Sequence, residues 1–456
     1  MGETKSLTRA QWLTLTAAFL GWMFDGVEIG LTPLVARPAL QDLLHMADEA
    51  VVAQWISVVM ACFLVGAAIG GISFGWLGDK VGRVRAMVLC MLMYSVCMGA
   101  CYFAATPWQF GLILFLASLG MGGEWSLAVA LVVEVWPERH RPKLAGLIGA
   151  AANFGFLFIA LVALTWQVTT NDWRWMMLVG ASPAMLAILI TCFVPESERW
   201  KAAAKKGGRS PMIEIFCPPL LRRTLLAMAF SAIPLIGTWA AVSAFIPSWA
   251  DQKQEEQVAK KMLPAETLAK FESASQQERS KILRATLSDS QFDDVRSQSG
   301  RAKAFVQVVL AIGAILGCFI APVIGGIYGR RPVYFALCIL SLISCQCMFR
   351  LPVFDHYGVA FIAMASVVGL VTAAFYGWLP LYLPELFPTR VRATGQGLSF
   401  NCGRIVAAGG SLCMGQFVGL FHGNYGLAMA AITLIYIAGL ALIWLAPETK
   451  GQPLPD

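Results

Sequence analysis

Gly75-Trp76-Leu77-Gly78-Asp79-Lys80-Val81-Gly82-Arg83-Val84-Arg85 is a short polar turn between two long apolar runs, near residues 52–77 and 86–105. Runs of that length, without charge and without period-two alternation, satisfy their own backbone in a bilayer only as helices. The turn sets a carboxylate at a helix end beside three cations, a cluster able to hold two helices together in one state and release them in another. The pattern also repeats. Gly66, Gly70, Asp79, Gly82 and Arg83 are answered 247 positions later by Gly313, Gly317, Gly326, Gly329 and Arg330.

Outward from this turn, ten further apolar runs lie near 12–36, 108–135, 143–166, 174–194, 224–249, 304–328, 332–351, 357–383, 393–420 and 426–446. The chain therefore reads as an all-α integral membrane protein with twelve transmembrane helices in two pseudo-symmetric six-helix bundles. Composition agrees: of 456 residues 58% are hydrophobic and 13% charged, where a soluble domain carries roughly a quarter charged residues. The net charge of +7 is spread over short loops instead of one basic face, which excludes a nucleic-acid binder. Every cysteine but Cys217 falls in an apolar run and no CxxC pair occurs, so neither a disulfide framework nor a metal site is predicted. Residues 1–9 are polar and lead into a full-length apolar run with no small-residue cleavage site, which predicts no removable signal peptide.

The domains follow: 1–195 is the first bundle, 196–223 a basic linker with Gly207, Gly208, Ser210 and Pro211, and 224–456 the second bundle. An insert at 251–303 interrupts the second. Lys80, Arg83 and Arg85, then Arg139, Arg141 and Lys143, then the linker, then Arg330 and Arg331, then Arg390 and Arg392 fall in alternate loops. By the positive-inside rule those loops and both termini face the cytoplasm, for a multi-pass protein of the plasma (inner) membrane. The insert then lies outside, as short amphipathic helices with a possible capping box at Ser275 and Glu278 and a turn opened by Pro264. It reads as a solvated cap, with a lid or docking role as the alternative.

The duplication extends further. Glu134, Pro137, Arg139, Arg141 and Gly146 recur as Glu385, Pro388, Arg390, Arg392 and Gly397, and Pro195-Glu196 recurs as Pro447-Glu448. Matched residues that are mostly charged or Gly do not arise from apolar bias, and a duplicated bundle can rock its halves about a central site. The turn at 75–85 strongly resembles the loop between helices two and three of the major facilitator superfamily; Gly326 stands where the second copy would carry its acid. The closing Pro447-Glu448-Thr449-Lys450-Gly451 is similar to the end of sugar-porter-related members. Asp25-Gly26-Val27-Glu28, Gly120-Met121-Gly122-Gly123-Glu124-Trp125 and the segment from Glu385 to Arg404 resemble the sialate:proton symporters and their monocarboxylate and aromatic-acid relatives, with Glu28 and Ile29 departing from their pattern. The resemblance implies inward carriage of organic anions with protons, and a cavity lined by helices four, seven and ten.

Ionisable groups within a span cost roughly 2.5 to 3.5 kcal/mol each on insertion scales and are functional candidates by default. Asp25 and Glu28, three apart, share a helix face with Trp22. Two close carboxylates in a low dielectric do not both ionise easily, which suits a proton carrier. Glu124 is a third coupling candidate, with a structural ion pair as its alternative. The four histidines, His45, His140, His356 and His422, sit at loops or helix ends and are poor candidates. Arg404, with Asn401 one turn before it, is the candidate substrate anchor because guanidinium grips carboxylate bidentately; a salt bridge to Glu124 or Asp25 competes. Trp125, Trp239, Tyr376 and Trp378 are candidate cavity residues, lipid-facing or packing roles being the alternative. Asp79, Arg83, Glu134, Arg139, Arg330, Glu385 and Arg390 are candidate gating residues. Gly66-x-x-x-Gly70 and Gly313-x-x-x-Gly317 are packing motifs.

No phosphate-binding loop and no catalytic constellation occurs, so neither an ATP-driven pump nor an enzyme is expected, and no cofactor. The reading is a secondary transporter that symports a small organic anion with protons by alternating access, its partners being substrate, protons and lipid, and its functional unit a monomer. A sugar porter and an organic-cation or zwitterion carrier are the alternatives.

Overall fold

A computed structural model describes residues 7–45, 49–166, 168–206, 209–243, 245–274, 276–421 and 424–455. The first bundle holds α1 (Arg9–Leu44), α2 (Glu49–Val81), α3 (Arg83–Ala100), α4 (Pro107–Val135), α5 (Arg141–Thr165) and α6 (Trp173–Phe193). The second holds α7 (Leu220–Met262), α8 (Asp289–Tyr328), α9 (Arg330–Arg350), α10 (Val359–Leu386), α11 (Arg392–Gly419) and α12 (Tyr425–Leu445). Among the described residues eleven helices are long and apolar enough to cross a membrane. The exception, α11, falls short in hydropathy because Arg392, Gln396, Asn401 and Arg404 lie along it, and the fold turns all four into protein, away from lipid. Outside, the bundles present bare apolar side chains such as Phe103, Val96, Ile188 and Leu316, the surface expected against acyl chains.

Local chemistry sets the helix ends. Thr8 and Ser288 form capping boxes with Gln11 and Gln291, and Thr106 caps α4 with Pro107 behind it. Between α2 and α3 the chain turns through Gly82 at φ 115°, and between α8 and α9 through Gly329 at φ 106°. Only glycine adopts that backbone without strain, which is why both copies keep it. The carboxylate of Glu196 accepts from the backbone N–H of Arg83 and Val84 (2.9 and 3.1 Å), and Glu448 accepts from Arg330 and Arg331 (2.9 and 3.0 Å). The repeated Pro-Glu pairs thus supply the carboxylates that cap α3 and α9. Burial works to raise the Glu448 carboxyl, but the N–H groups of Arg330, Arg331 and Lys450 and the Arg330 charge hold it below the usual carboxylate range. Its contribution is therefore present above the ordinary carboxylate pKa and lost as pH falls through the lowered value.

Within the bundles α2 packs on α4 and α8 on α10 at the glycine motifs: a Cβ at Gly70 would lie 1.9 Å from the Leu119 carbonyl, and one at Gly317 1.9 Å from that of Leu370. The halves meet along two seams, α2 against α11 and α5 against α8 and α10.

The segment 251–303 is built differently from the expected insert. Its beginning prolongs α7, its end is the first part of α8, and the two short helices between, Ala265–Ser273 and Gln276–Thr286, close a core of Val258, Leu263, Phe271, Leu283 and Val295. That private core lets amphipathic segments stay helical beyond the membrane. Pro264 does open its helix; Ser275 lies outside the described residues. Lys253 bridges to Asp355 at 2.6 Å, which ties the cap to the loop before α10, and Arg279 binds Glu256 within the cap. The long extensions of α7 and α8 pack on each other, so replacing 263–288 by a short Gly/Ser linker is expected to leave uptake into proteoliposomes measurable. Complete loss of uptake in folded, inserted protein would assign the cap a working role.

Candidate functional site

The buried ionisable groups gather where α1 and α4 of the first half face α10 and α11 of the second. Asp25, Glu28 and Glu124 are all buried, and both oxygens of Asp25, both of Glu124 and Oε1 of Glu28 have no hydrogen-bond partner among the described residues. Gly21, one turn before Asp25, is what admits Glu124: a Cβ there would lie 2.1 Å from Glu124 Oε1. Asp25 stands within electrostatic reach of Glu124, Glu28 and Arg404. Arg404 is 7% exposed, makes no ion pair among the described residues, and its Nη1 has no hydrogen-bond partner there. A buried guanidinium without a bound anion is costly, which makes Arg404 the exceptional cation of the bundle interior.

Aromatic rings wall the space beside Arg404. Trp125 of α4 stacks on Phe400 of α11, with centroids 3.9 Å apart and planes 12° from parallel. Trp22 and Tyr376 meet the same ring edge-on at 6.1 and 6.3 Å. The Arg404 guanidinium carbon lies 5.8 Å from its centroid. Phe400 was not singled out in the sequence, where it is one apolar residue in an apolar run.

The other candidates are not part of this ring stack. Trp378 is buried in the second bundle, donates its indole N–H to the Arg330 carbonyl (3.0 Å) and packs on Tyr334 and Tyr382, so it fills core. Trp239 is half-buried in the π-helical stretch Leu235–Ser243 of α7. Asn401 spends its amide N–H groups on the carbonyls of Gly122 (3.1 Å) and Gly397 (2.9 Å), bolting α11 to α4. Of the histidines, His140 receives Arg139 Nε, His45 ends α1, His356 lies at a bend, and His422 is outside the described residues.

At the end that carries the basic loops, a second polar cluster joins the halves. Arg83 binds Asp79 (2.7 Å), Glu134 (3.1 Å) and the carbonyls of Gly78 and Thr389 (both 2.6 Å). Glu134 also takes Arg392 at 3.1 Å and the Ser197 hydroxyl at 2.6 Å. The second copy matches: Arg330 grips Glu385 bidentately (3.0 and 2.7 Å) and the Gly325 carbonyl, and Glu385 receives Thr449 and, at 3.5 Å, Arg141. The two halves thus exchange arginines, each glutamate taking one from the opposite bundle. This corrects the gating pair drawn from the sequence. Arg139 is exposed, and Arg390 pairs with Glu214 of the linker; Arg141 and Arg392, two residues on, are the buried ones. Pro137 and Pro388 each lead into a 3₁₀ turn, and the residue that starts the next helix points inward while the arginine within the turn faces out.

Asp79 accepts from the N–H groups of Ala393 (3.2 Å) and Thr394 (2.8 Å) and from the Thr394 hydroxyl (2.6 Å), at the N-terminus of α11. At the related place on the other seam, a Cβ on Gly326 would lie 2.9 Å from Pro142 Cγ. Proline has no N–H to offer there, so the missing acid and the missing donor coincide. Asp79→Asn is expected to slow turnover by on the order of tenfold, the rate equivalent of ~1.4 kcal/mol, because a state that must re-form each cycle loses charge-assisted bonds. Substrate affinity should hardly change. A large affinity loss at normal maximal rate would move this turn into the substrate site.

The model of the Major Facilitator Superfamily matches residues 12–262, and that of the sugar (and other) transporters matches 236–385 and 357–456. The chain belongs to the major facilitator superfamily. This facilitator is 26% identical over 96% of its length, and 94% of the relative's, to the cis,cis-muconate transport protein of Acinetobacter baylyi. It is 24% identical over 96% of its length to the sialic acid transporter NanX of Escherichia coli, covering 95% of that protein. Its fold superposes on the proton:xylose symporter XylE bound to 6-bromo-6-deoxy-D-glucose with a TM-score of 0.72, at 15% identity and 97% coverage of each chain. The protein is a multi-pass membrane transporter of small molecules and not an enzyme.

Proposed function

We propose that this transporter carries a small organic anion, a monocarboxylate or sugar acid, into the cell together with protons by alternating access. The observation that carries the reading is Arg404, buried between the halves with no ion pair among the described residues and an Nη1 lacking any partner there, beside carboxyls on α1 and α4 that it does not bridge. A substrate carboxylate supplies the missing anion, and Asp25, Glu124 and Glu28 supply groups that take up and release a proton as the pathway opens to one side and then the other. Relatives named for muconate and sialic acid transport, both carboxylic acids, support the substrate class.

The basic loops place the exchanged-arginine cluster and both termini at the cytoplasmic face of the inner membrane and the cap outside. In that orientation the exchanged arginines hold the two halves together at the cytoplasmic end. One monomer contains every group the cycle uses. The test is a radiolabelled uptake panel in proteoliposomes with and without an inward proton gradient. Organic acids accumulated only with the gradient are the expected result. Accumulation of neutral sugars or cations instead would overturn the reading.

A further inference from the structure

Phe400 belongs to the second half, yet its ring lies flat on Trp125 of the first, edge-on to Trp22 and Tyr376 and beneath the Arg404 guanidinium. It is 3% exposed. Of the rings around this point it is the one in contact with all the others. A benzene ring is an odd occupant for that place, because the buried Tyr376 hydroxyl and Arg404 Nη1 beside it are both left without a hydrogen-bond partner among the described residues. A hydrocarbon ring satisfies neither. A flat molecule of the same footprint with a carboxylate on its rim would keep the stack on Trp125 and satisfy the guanidinium. The Arg404 guanidinium carbon lies over the ring, 5.8 Å from its centre, so the flexible arginine side chain swings toward the rim to grip such a carboxylate.

We propose that Phe400 is a built-in stand-in for the substrate: in the empty transporter its ring holds the face of Trp125, and a substrate binds by displacing it. The ring then sets the shape class that the site accepts, a flat, conjugated carboxylate. Because the Phe400–Trp125 stack joins the two halves, displacement also removes a contact between them at the moment of loading. This rests on the organic-anion reading above, since it lands the carboxylate on Arg404.

Calorimetry on purified protein tests it with benzoate, cis,cis-muconate and 2-naphthoate as flat acids and gluconate as a non-planar one. With the stand-in removed, Phe400→Ala should bind the flat acids about 2- to 10-fold more tightly, the worth of one aromatic pair, with the largest gain for 2-naphthoate and none for gluconate. Phe400→Trp, a larger stand-in, should weaken the flat acids, and Phe400→Leu should fall between, so the series stands even if the alanine variant folds poorly. Equal loss for flat and non-planar acids across the series, or no change at all, overturns the proposal and makes Phe400 packing. If the wild type binds none of these acids, the organic-anion reading fails and the stand-in falls with it, a result distinct from binding that ignores position 400.

Discussion

Arg404→Ala is expected to eliminate measurable binding of the proposed organic anion, and Arg404→Lys to weaken it by on the order of 1.5 to 3 kcal/mol, about 10- to 150-fold, the worth of hydrogen bonds to a charged group. Lysine keeps the charge and loses the planar fork, so the split between the two variants measures geometry apart from electrostatics. The size follows from burial: the guanidinium is 7% exposed, and no described carboxylate is within ion-pair distance of it. If instead Arg404 served to neutralise Glu124, the double variant Arg404→Ala with Glu124→Gln would recover folding and some binding, and the cargo could be neutral or cationic. Calorimetry on single and double variants separates these outcomes. Unchanged affinity in Arg404→Ala would remove the organic-anion reading altogether.

Asp25→Asn is the second large effect. It removes a titratable group that interacts with both Glu124 and Arg404 while preserving size, so accumulation driven by a proton gradient should disappear, with folded protein still in the membrane. Counterflow, which needs the halves to rock but no net proton movement, should survive. Uptake against a gradient at the wild-type level in Asp25→Asn would show that the proton travels by another group, with Glu124 next to be tested.

Much of this was legible in the sequence because the duplication is written in residues that lipid does not select for. The glycines at 82 and 329 and the arginines at 83 and 330 do the same work in both halves, down to the carbonyls of Gly78 and Gly325 that each arginine binds. What periodicity gives is a helix and its spacing; which side of a turn a cation faces depends on how the turn is wound. That is why the spacing points to Arg139 and Arg390, when the arginines that cross between the halves are Arg141 and Arg392. Glu196 and Glu448 announced themselves only as a repeat, since a cap is recognised by the backbone N–H groups it meets, and those lie more than a hundred positions away. Phe400 was invisible for a stronger reason. Its meaning comes from Trp22, Trp125 and Tyr376 on three other helices, and nothing local distinguishes it from a lipid-facing phenylalanine. Trp378 misled in the opposite direction, a large amphipathic ring whose N–H found a carbonyl inside its own bundle.

The two seams between the halves are fastened by unlike means. Along α5 and α8, Gly326 meets Pro142 carbon on carbon, and farther along that seam the Asn153 amide donates only to the Cys318 sulfur at 3.6 Å; at the matching place along α2 and α11, Asp79 meets backbone donors that Ala393 and Thr394 provide. Hydrogen bonds of this kind are directional and break within a fraction of an ångström, whereas apolar surfaces slide and tilt at little cost. The pair of bundles therefore has a clasped edge and a spine. The unlike fastenings predict that the α2–α11 edge parts farther than the α5–α8 edge when the halves rock, which distances between spin labels placed across each seam would measure.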